Sequence, residues 1–315
     1  MLRLNDVSKT YRVGTFGGQL LHAVRHVTFD IQDGEVISLI GESGSGKTTI
    51  GRMILKLTSP SSGTIEYNGA DIAGIRKSGL KDYYRQVQGI FQDPFSSCNP
   101  IFKADRIFQI MHEEFFPHVG KDKWRAKLDE TLKCVGLNPE HILNKFPHQL
   151  SGGQLQRFLI ARALLLDVKF LVADEIISML DASTRIDVLN LLADLKKYGL
   201  SILFITHDLS LGYYISDRSV ILYKGTVVEF GATGKIYAKP LHPYTQMLMA
   251  SIPHLDKKWT QIRGELGGKT NGSLEGCAYY ERCPLPGKGQ QCLASVPPLV
   301  EIEPDHMVAC CCCEK

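Results

Sequence analysis

Glu35-Val36-Ile37-Ser38-Leu39-Ile40-Gly41-Glu42-Ser43-Gly44-Ser45-Gly46-Lys47-Thr48-Thr49 is the stretch on which the fold turns. An apolar run of buried-strand type ends in a glycine-rich turn, and a helix is expected from about Lys47 to Lys56. Gly41 to Thr48 satisfies G-x-x-x-x-G-K-[ST], the P-loop, in the strand-to-helix context that the motif requires. Glycines at 41, 44 and 46 let the backbone wrap tightly and aim its N–H groups at phosphate oxygens. The helix N-terminus adds partial positive charge. Lys47 is expected to reach the outer phosphates and the Thr48 hydroxyl to ligate Mg²⁺, with Ser43, Ser45 and Thr49 completing the phosphate-binding stretch.

Working outward, Leu2-Arg3-Leu4 and Val27 to Ile31 alternate as strands, and residues 63–69 and 86–91 read as further strands. From about 104 to 150 the pattern is helical, and another helix runs from Gly153 to about Leu166. Phe170 to Ala173 and Ser201 to Ile205 are short apolar strands, with a helix from about Thr184 to Lys197 between them. Strand–helix–strand alternation means an α/β fold with a parallel sheet, and the early strands suggest a separate antiparallel layer. Asp174-Glu175 closes the strand at Phe170. A carboxylate at the end of a buried strand suits a Mg²⁺ partner, here Asp174. Glu175 points the other way and can polarise a water.

Composition is that of a globular chain: 315 residues, 22% charged and 44% hydrophobic, which excludes disorder, collagen and coiled coil as the main architecture. A net charge of +3 does not describe a strongly nucleic-acid-binding surface. Mean hydropathy is −0.06, and the most apolar stretch, Phe158 to Ala173, is broken by Arg162, Asp167 and Lys169, so no membrane span is expected. The first residues lack an apolar signal region, so a cytosolic chain is expected, able to sit at a membrane through a partner that spans it.

A P-loop alone leaves kinases, GTPases, helicases and transporters open. Leu150-Ser151-Gly152-Gly153-Gln154, preceding a helix, makes the chain resemble an ATP-binding cassette (ABC) ATPase. Further elements stand in that family's order: Tyr11 as adenine platform, Gln92 in Phe91-Gln92-Asp93-Pro94, Asp181 in Ser178-Met179-Leu180-Asp181, and His207 in Ile205-Thr206-His207-Asp208. The resemblance implies a P-loop NTPase ABC cassette with a RecA-like parallel core, an antiparallel β layer and a helical subdomain at about 93–154, within a nucleotide-binding domain of residues 1–238. It implies ATP on the P-loop with adenine against Tyr11, and Mg²⁺ held by Thr48 and Asp174 with Gln92 close by. Glu175 is then the general base and His207 the γ-phosphate contact. Ser151, Gly152, Gly153 and Gln154 would serve the ATP bound to a partner subunit, so that ATP closes a dimer and hydrolysis reopens it.

Longer stretches narrow the resemblance. Phe91 to Pro100 and Pro240-Leu241-His242-Pro243-Tyr244-Thr245 are similar to oligopeptide and dipeptide importer ATPases, and Gly41 to Gly44 with Thr49 to Arg52 favours the F-type subunit. That family implies a D-type ATPase as heterodimer partner, two transmembrane permease subunits gripped by residues 93–150, and an extracytoplasmic substrate-binding protein acting indirectly, with no nucleic-acid partner. The expected location is peripheral, on the cytoplasmic face of the cell membrane. Peptides, oligosaccharides and nickel all remain open as cargo. The alternative function is a soluble or regulatory ABC ATPase acting on nucleic acid or another complex.

Seven of the nine cysteines lie beyond residue 270, an arrangement that in a reducing compartment points to a metal. Residues 239–315 are expected to form a cysteine-rich extension folded separately from the cassette. Cys277, Cys283, Cys292 and Cys310 match the importer family's cysteine set, with Cys311 to Cys313 competing for the fourth place. Four thiolates can hold a 4Fe–4S cluster or tetrahedral zinc. The resemblance favours iron–sulfur, with zinc and free thiols as alternatives.

Overall fold

The computed structural model describes residues 1–14, 18–251 and 276–312. The strands are β1 (Leu2–Val13), β2 (Gln19–Ile31), β3 (Val36–Ile40), β4 (Ser62–Tyr67), β5 (Ala70–Asp71), β6 (Val87–Ile90), β7 (Phe170–Asp174), β8 (Ser201–Thr206), β9 (Arg218–Tyr223), β10 (Thr226–Ala232), β11 (Val300–Glu303) and β12 (His306–Val308). The helices are α1 (Lys47–Ile54), α2 (Lys77–Gln86), α3 (Arg106–Phe115), α4 (Lys121–Cys134), α5 (Pro139–Ile142), α6 (Gly152–Leu165), α7 (Ala182–Lys197), α8 (Leu209–Ile215), α9 (Thr233–Ala238), α10 (Pro243–Ala250) and α11 (Gln291–Ala294). They divide into two compact units, one of residues 1–32, 36–74 and 204–315, the other of 33–35 and 75–203. Strand β8 passes from the second unit to the first at Phe204.

The first unit holds the antiparallel layer expected from the sequence, in the order β2-β1-β4-β5. Leu2, Leu4, Val7, Val24, Val27, Phe29 and Ile31 turn its apolar face inward. Near the hairpin end Thr10 pairs with His22 and Tyr11 with Leu21, so Tyr11 faces opposite to His22. The unit's other strands run β11-β12-β10-β9-β3, with β9 parallel to β3 and β10 antiparallel to β9. All five residues of β3 are buried, as expected of a parallel strand covered on both faces.

The cysteine-rich extension lies in the first unit and shares a sheet with the cassette strands. Strand β12 adds to β10, Phe230 opposite Met307 and Gly231 opposite His306. Gly231 has φ +157 there, and a Cβ on it would lie 2.2 Å from the Asp305 carbonyl oxygen. His306, fully buried, bridges Glu229 at 2.7 Å and Glu303 at 3.0 Å. A short segment without a core of its own is thus completed by a sheet edge and a buried ion pair.

In the second unit β6 runs parallel to β7. Helix α6 is apolar nearly all round, burying Leu155, Phe158, Leu159, Ile160 and Leu165. The Phe158 ring meets Phe108 of α3 at 4.5 Å, and Trp124, Leu128 and Leu132 give α4 its buried face. This is the helical region expected over 104–150. Helix α2 was not expected: KSGLKDYYRQ buries Tyr83 alone, so it has almost no apolar stripe to read.

Candidate active site

In the first unit the P-loop leaves β3 and enters α1. Gly44 and Gly46 have φ +79 and +104, in the left-handed region that side chains resist. A Cβ on Gly46 would lie 2.3 Å from the Ala23 carbonyl oxygen, and one on Gly41 would lie 2.1 Å from that of Leu222. The loop is therefore wrapped tightly against β2 and β9. Lys47, 5% exposed, donates to the carbonyls of Gly41 at 2.7 Å and Glu42 at 2.9 Å. Gly46 caps α1 with no side-chain bond, which leaves the first-turn amides to an anion. Ser45 Oγ is buried and has no hydrogen-bond partner among the described residues. Left-handed glycines, an uncapped helix N-terminus and the Lys47 ammonium together fit a phosphate group.

Tyr11, half-buried on β1, has the Lys9 ammonium 5.1 Å from its ring. His207 is exposed just past β8, where Thr206 Oγ1 accepts the Asp208 N–H and Asp208 caps α8. The P-loop, Tyr11 and His207 thus share the first unit, including Ser43, Thr48 and Thr49.

Gln92, Ser151 to Gln154, Asp174, Glu175 and Asp181 share the second unit. Gln92 is exposed after β6, and Asp93 Oδ1 accepts the Phe95 N–H to turn the chain beyond it. Asp174 is buried at the end of β7. Glu175 follows at φ +50, its carbonyl accepting both the amide and the hydroxyl of Ser178. Ser151 caps α6: its Oγ accepts the Gln154 N–H at 3.2 Å, and Gln154 Oε1 accepts the Ser151 N–H at 2.9 Å.

Gly153 has a packing role that the motif alone did not disclose, because a Cβ there would lie 2.5 Å from Thr184 Cγ2 of α7. Asp181 caps α7 and accepts from Ser183 Oγ, Thr184 N and Thr184 Oγ1. These bonds, led by Ser183, hold its carboxyl well below the usual range. Gln156, fully buried on α6, has neither amide atom bonded among the described residues, and the sequence reading passed over it.

Six cysteines of the extension are described, and Cys313 lies outside the described residues. Cys277 N donates to the Cys292 carbonyl at 2.7 Å. The Cys277 thiol is pushed up by burial and then by Cys310, Cys292 and Cys283. Burial and neighbouring thiols push Cys311 up to about 11 and Cys312 to about 12. The thiols share one neighbourhood, yet among the described residues no group of three or more His, Cys, Asp or Glu is arranged to hold a metal ion. Nor is any described helix long and apolar enough to cross a membrane.

Comparison with known proteins gives the class. The ABC transporter family model matches residues 24–178, and that of the oligopeptide/dipeptide transporter C-terminal region matches 228–292. A probable peptide ABC transporter ATP-binding protein, y4tS of Sinorhizobium fredii, is 37% identical over 98% of this chain and 89% of its own. A putative oligopeptide transport ATP-binding protein of Bacillus subtilis, YkfD, is 42% identical over 91% of this chain and 88% of its own. Among solved structures, the dimeric ABC cassette MJ0796 in a post-hydrolysis state with ADP and Pi superposes with a TM-score of 0.66 at 28% identity, covering 74% of this chain and 99% of that one. The fold and the P-loop define an ABC ATPase cassette. Within that class the chain belongs to the family of oligopeptide/dipeptide transporter ATP-binding subunits, and its enzymatic activity is ATP hydrolysis.

Proposed function

We propose that this chain is the F-type motor subunit of a peptide importer, seated on the cytoplasmic face of the membrane beneath two permease subunits and paired with a D-type ATPase. The observation that carries this reading is the union of an ABC cassette with the oligopeptide-type C-terminal region in relatives named for peptide transport. We keep a boundary near residue 239 and a helical subdomain at about 93–154 as part of it.

In this reading the P-loop amides and Lys47 bind the phosphates, and Tyr11 stacks on adenine. Thr48 and Asp174 hold Mg²⁺, with Gln92 close by. That ion would neutralise charge on the outer phosphates. Glu175 accepts the proton of the water that attacks the γ-phosphorus, as ADP leaves. His207 contacts the γ-phosphate. Ser151, Gly152, Gly153 and Gln154 contribute to the partner's site, with Asp181 beside that interface.

Ile101, 76% exposed, lines a groove of about 490 Å³ with Phe102, Ile110, Lys103, Arg106 and Glu113. Exposed apolar side chains interleaved with charged ones suit a short amphipathic helix of a permease. Copurification of the tagged chain with polytopic membrane proteins, followed by ATP-dependent peptide uptake in vesicles, tests the reading. Retention of nucleic acid instead, with no membrane partner, would favour a soluble ABC ATPase.

We also propose that Cys277, Cys283, Cys292 and Cys310 hold a 4Fe–4S cluster. Soft thiol donors in one neighbourhood support it, since Cys277 feels the other three. The spacing among the described residues does not by itself close a site. Anaerobic protein carrying iron and sulfide supports the cluster; zinc without iron, or no metal, refutes it.

A further inference from the structure

The extension reaches into the phosphate loop itself. Tyr244, fully buried on α10, accepts the Glu42 N–H at 3.0 Å. The carbonyl of the same peptide unit, on Gly41, accepts Lys47 Nζ at 2.7 Å. The Gly41–Glu42 peptide is thus pinned at both poles, by the lysine that serves the phosphates and by a tyrosine 202 residues further along the chain. The Glu42 side chain is held as well, its Oε1 lying 3.5 Å from Arg282 Nη1.

Arg282 is fixed in turn. Its charge interacts favourably with the Tyr223 phenol, and its guanidinium lies 5.6 Å from the Tyr279 ring centre. The rings of Tyr223, Tyr244 and Tyr279 meet at 4.5 to 5.6 Å, and they pack with Ile40, the last residue of the strand that delivers the loop. Tyr279 and Arg282 stand between Cys277 and Cys283, both of which pack against this cluster. Burial pushes the Tyr244 phenol up, so it keeps its proton and receives the Glu42 amide on a lone pair.

We propose that Tyr244 and Arg282 are positioning residues for nucleotide binding, clamping Glu42 from outside the loop and so setting where Lys47 and the loop amides stand. The inference rests on the ATP-binding reading and extends it: the cysteine-flanked segment is a working part of the nucleotide site. Were the contacts packing alone, removing one hydroxyl or one charge would change stability and leave the folded protein's affinity for ATP unchanged.

The test uses the full chain and titration with a fluorescent ATP analogue, with thermal melting of each variant alongside. Tyr244→Phe keeps the ring and loses the acceptor; it should weaken binding about three- to tenfold, the worth of one net hydrogen bond. Arg282→Glu should weaken binding about two- to fivefold, as a partly exposed pair allows. The exchange Glu42→Arg with Arg282→Glu should restore most of that loss, and Arg282→Lys should keep part of the wild-type affinity. In the assembled complex Tyr244→Phe should raise KM for ATP and leave kcat nearly unchanged. Affinities of both single variants within about twofold of wild type, a ratio too small for one net hydrogen bond, would overturn the clamp. So would a charge exchange that restores melting temperature without affinity. Lys47→Ala separates the two readings: if it too binds ATP normally, the ATP-binding assignment of the loop fails first.

Discussion

Replacing Gly153 by alanine tests whether the signature segment is shaped by packing as well as by its ligand. The added Cβ would lie 2.5 Å from Thr184 Cγ2, well inside van der Waals contact. Thr184 cannot simply rotate its methyl away, because its Oγ1 donates to Asp181 Oδ2 at 2.8 Å and a rotamer change breaks that bond. Overpacking of this kind costs about 1–3 kcal/mol. Alanine returns about 0.5–1 kcal/mol of helix propensity relative to glycine. Gly153→Ala should therefore destabilise by roughly 0–2.5 kcal/mol. Thr184→Ser deletes the clashing methyl and keeps the hydroxyl; alone it should cost about 1 kcal/mol. Combined, the two should interact favourably by about 1–2 kcal/mol, measured as a double-mutant cycle in urea unfolding. A coupling within about 0.5 kcal/mol of zero would refute the steric reasoning. ATP hydrolysis by the double variant in the complex then asks a second question. If it stays low after stability is restored, Gly153 also serves the partner's ATP.

Other consequences are equally direct. Burial depresses His242 to about 4, and its Nδ1 accepts the Tyr244 N–H, so the fold requires the neutral ring. The unfolded chain takes up a proton near 6.5, the folded chain only near 4, so stability should fall by roughly 3 kcal/mol as pH drops through that window. His242→Asn should flatten this acid limb in urea titrations at several pH values; an unchanged limb would assign it elsewhere. His306 shifts the opposite way, raised above 6.5 by Glu229 and Glu303 against the opposing effect of burial. Its contribution is present below that value and lost as pH rises through the folded pKa, so His306→Gln should remove an alkaline decline in stability. Ser151→Arg should leave ATP binding at this chain's P-loop nearly intact while blocking turnover in the assembled complex. An isolated monomer hydrolysing ATP at the full rate of the complex would contradict a shared site.

The elements legible in the sequence are those whose residues answer to local physics. Strand β3, the P-loop and α1 were readable because glycines at 44 and 46 have no substitute at positive φ and because Val36 to Ile40 is unbroken. Helix α6 starts at Gly152, one residue before the expected position, because Ser151 already caps it. Helix α2 was hidden by its polarity, and β12 by its length of three residues. Strands β9 and β10 went unread although both are almost wholly buried, since continuous apolar runs carry no period to distinguish them. Tyr244 stood inside a quoted motif and Arg282 next to Cys283, yet their contacts with Glu42 span more than two hundred residues and no local pattern encodes them.

The central claim is that ATP turnover at Glu175 drives the cycle, and Glu175→Gln in the assembled complex tests it most directly. The exchange keeps size and removes the base, so the variant should bind ATP with normal affinity and trap a closed, ATP-loaded dimer. Hydrolysis should fall by about 10²–10⁴-fold, the usual worth of a positioned base. Near-normal turnover by that complex would contradict the account.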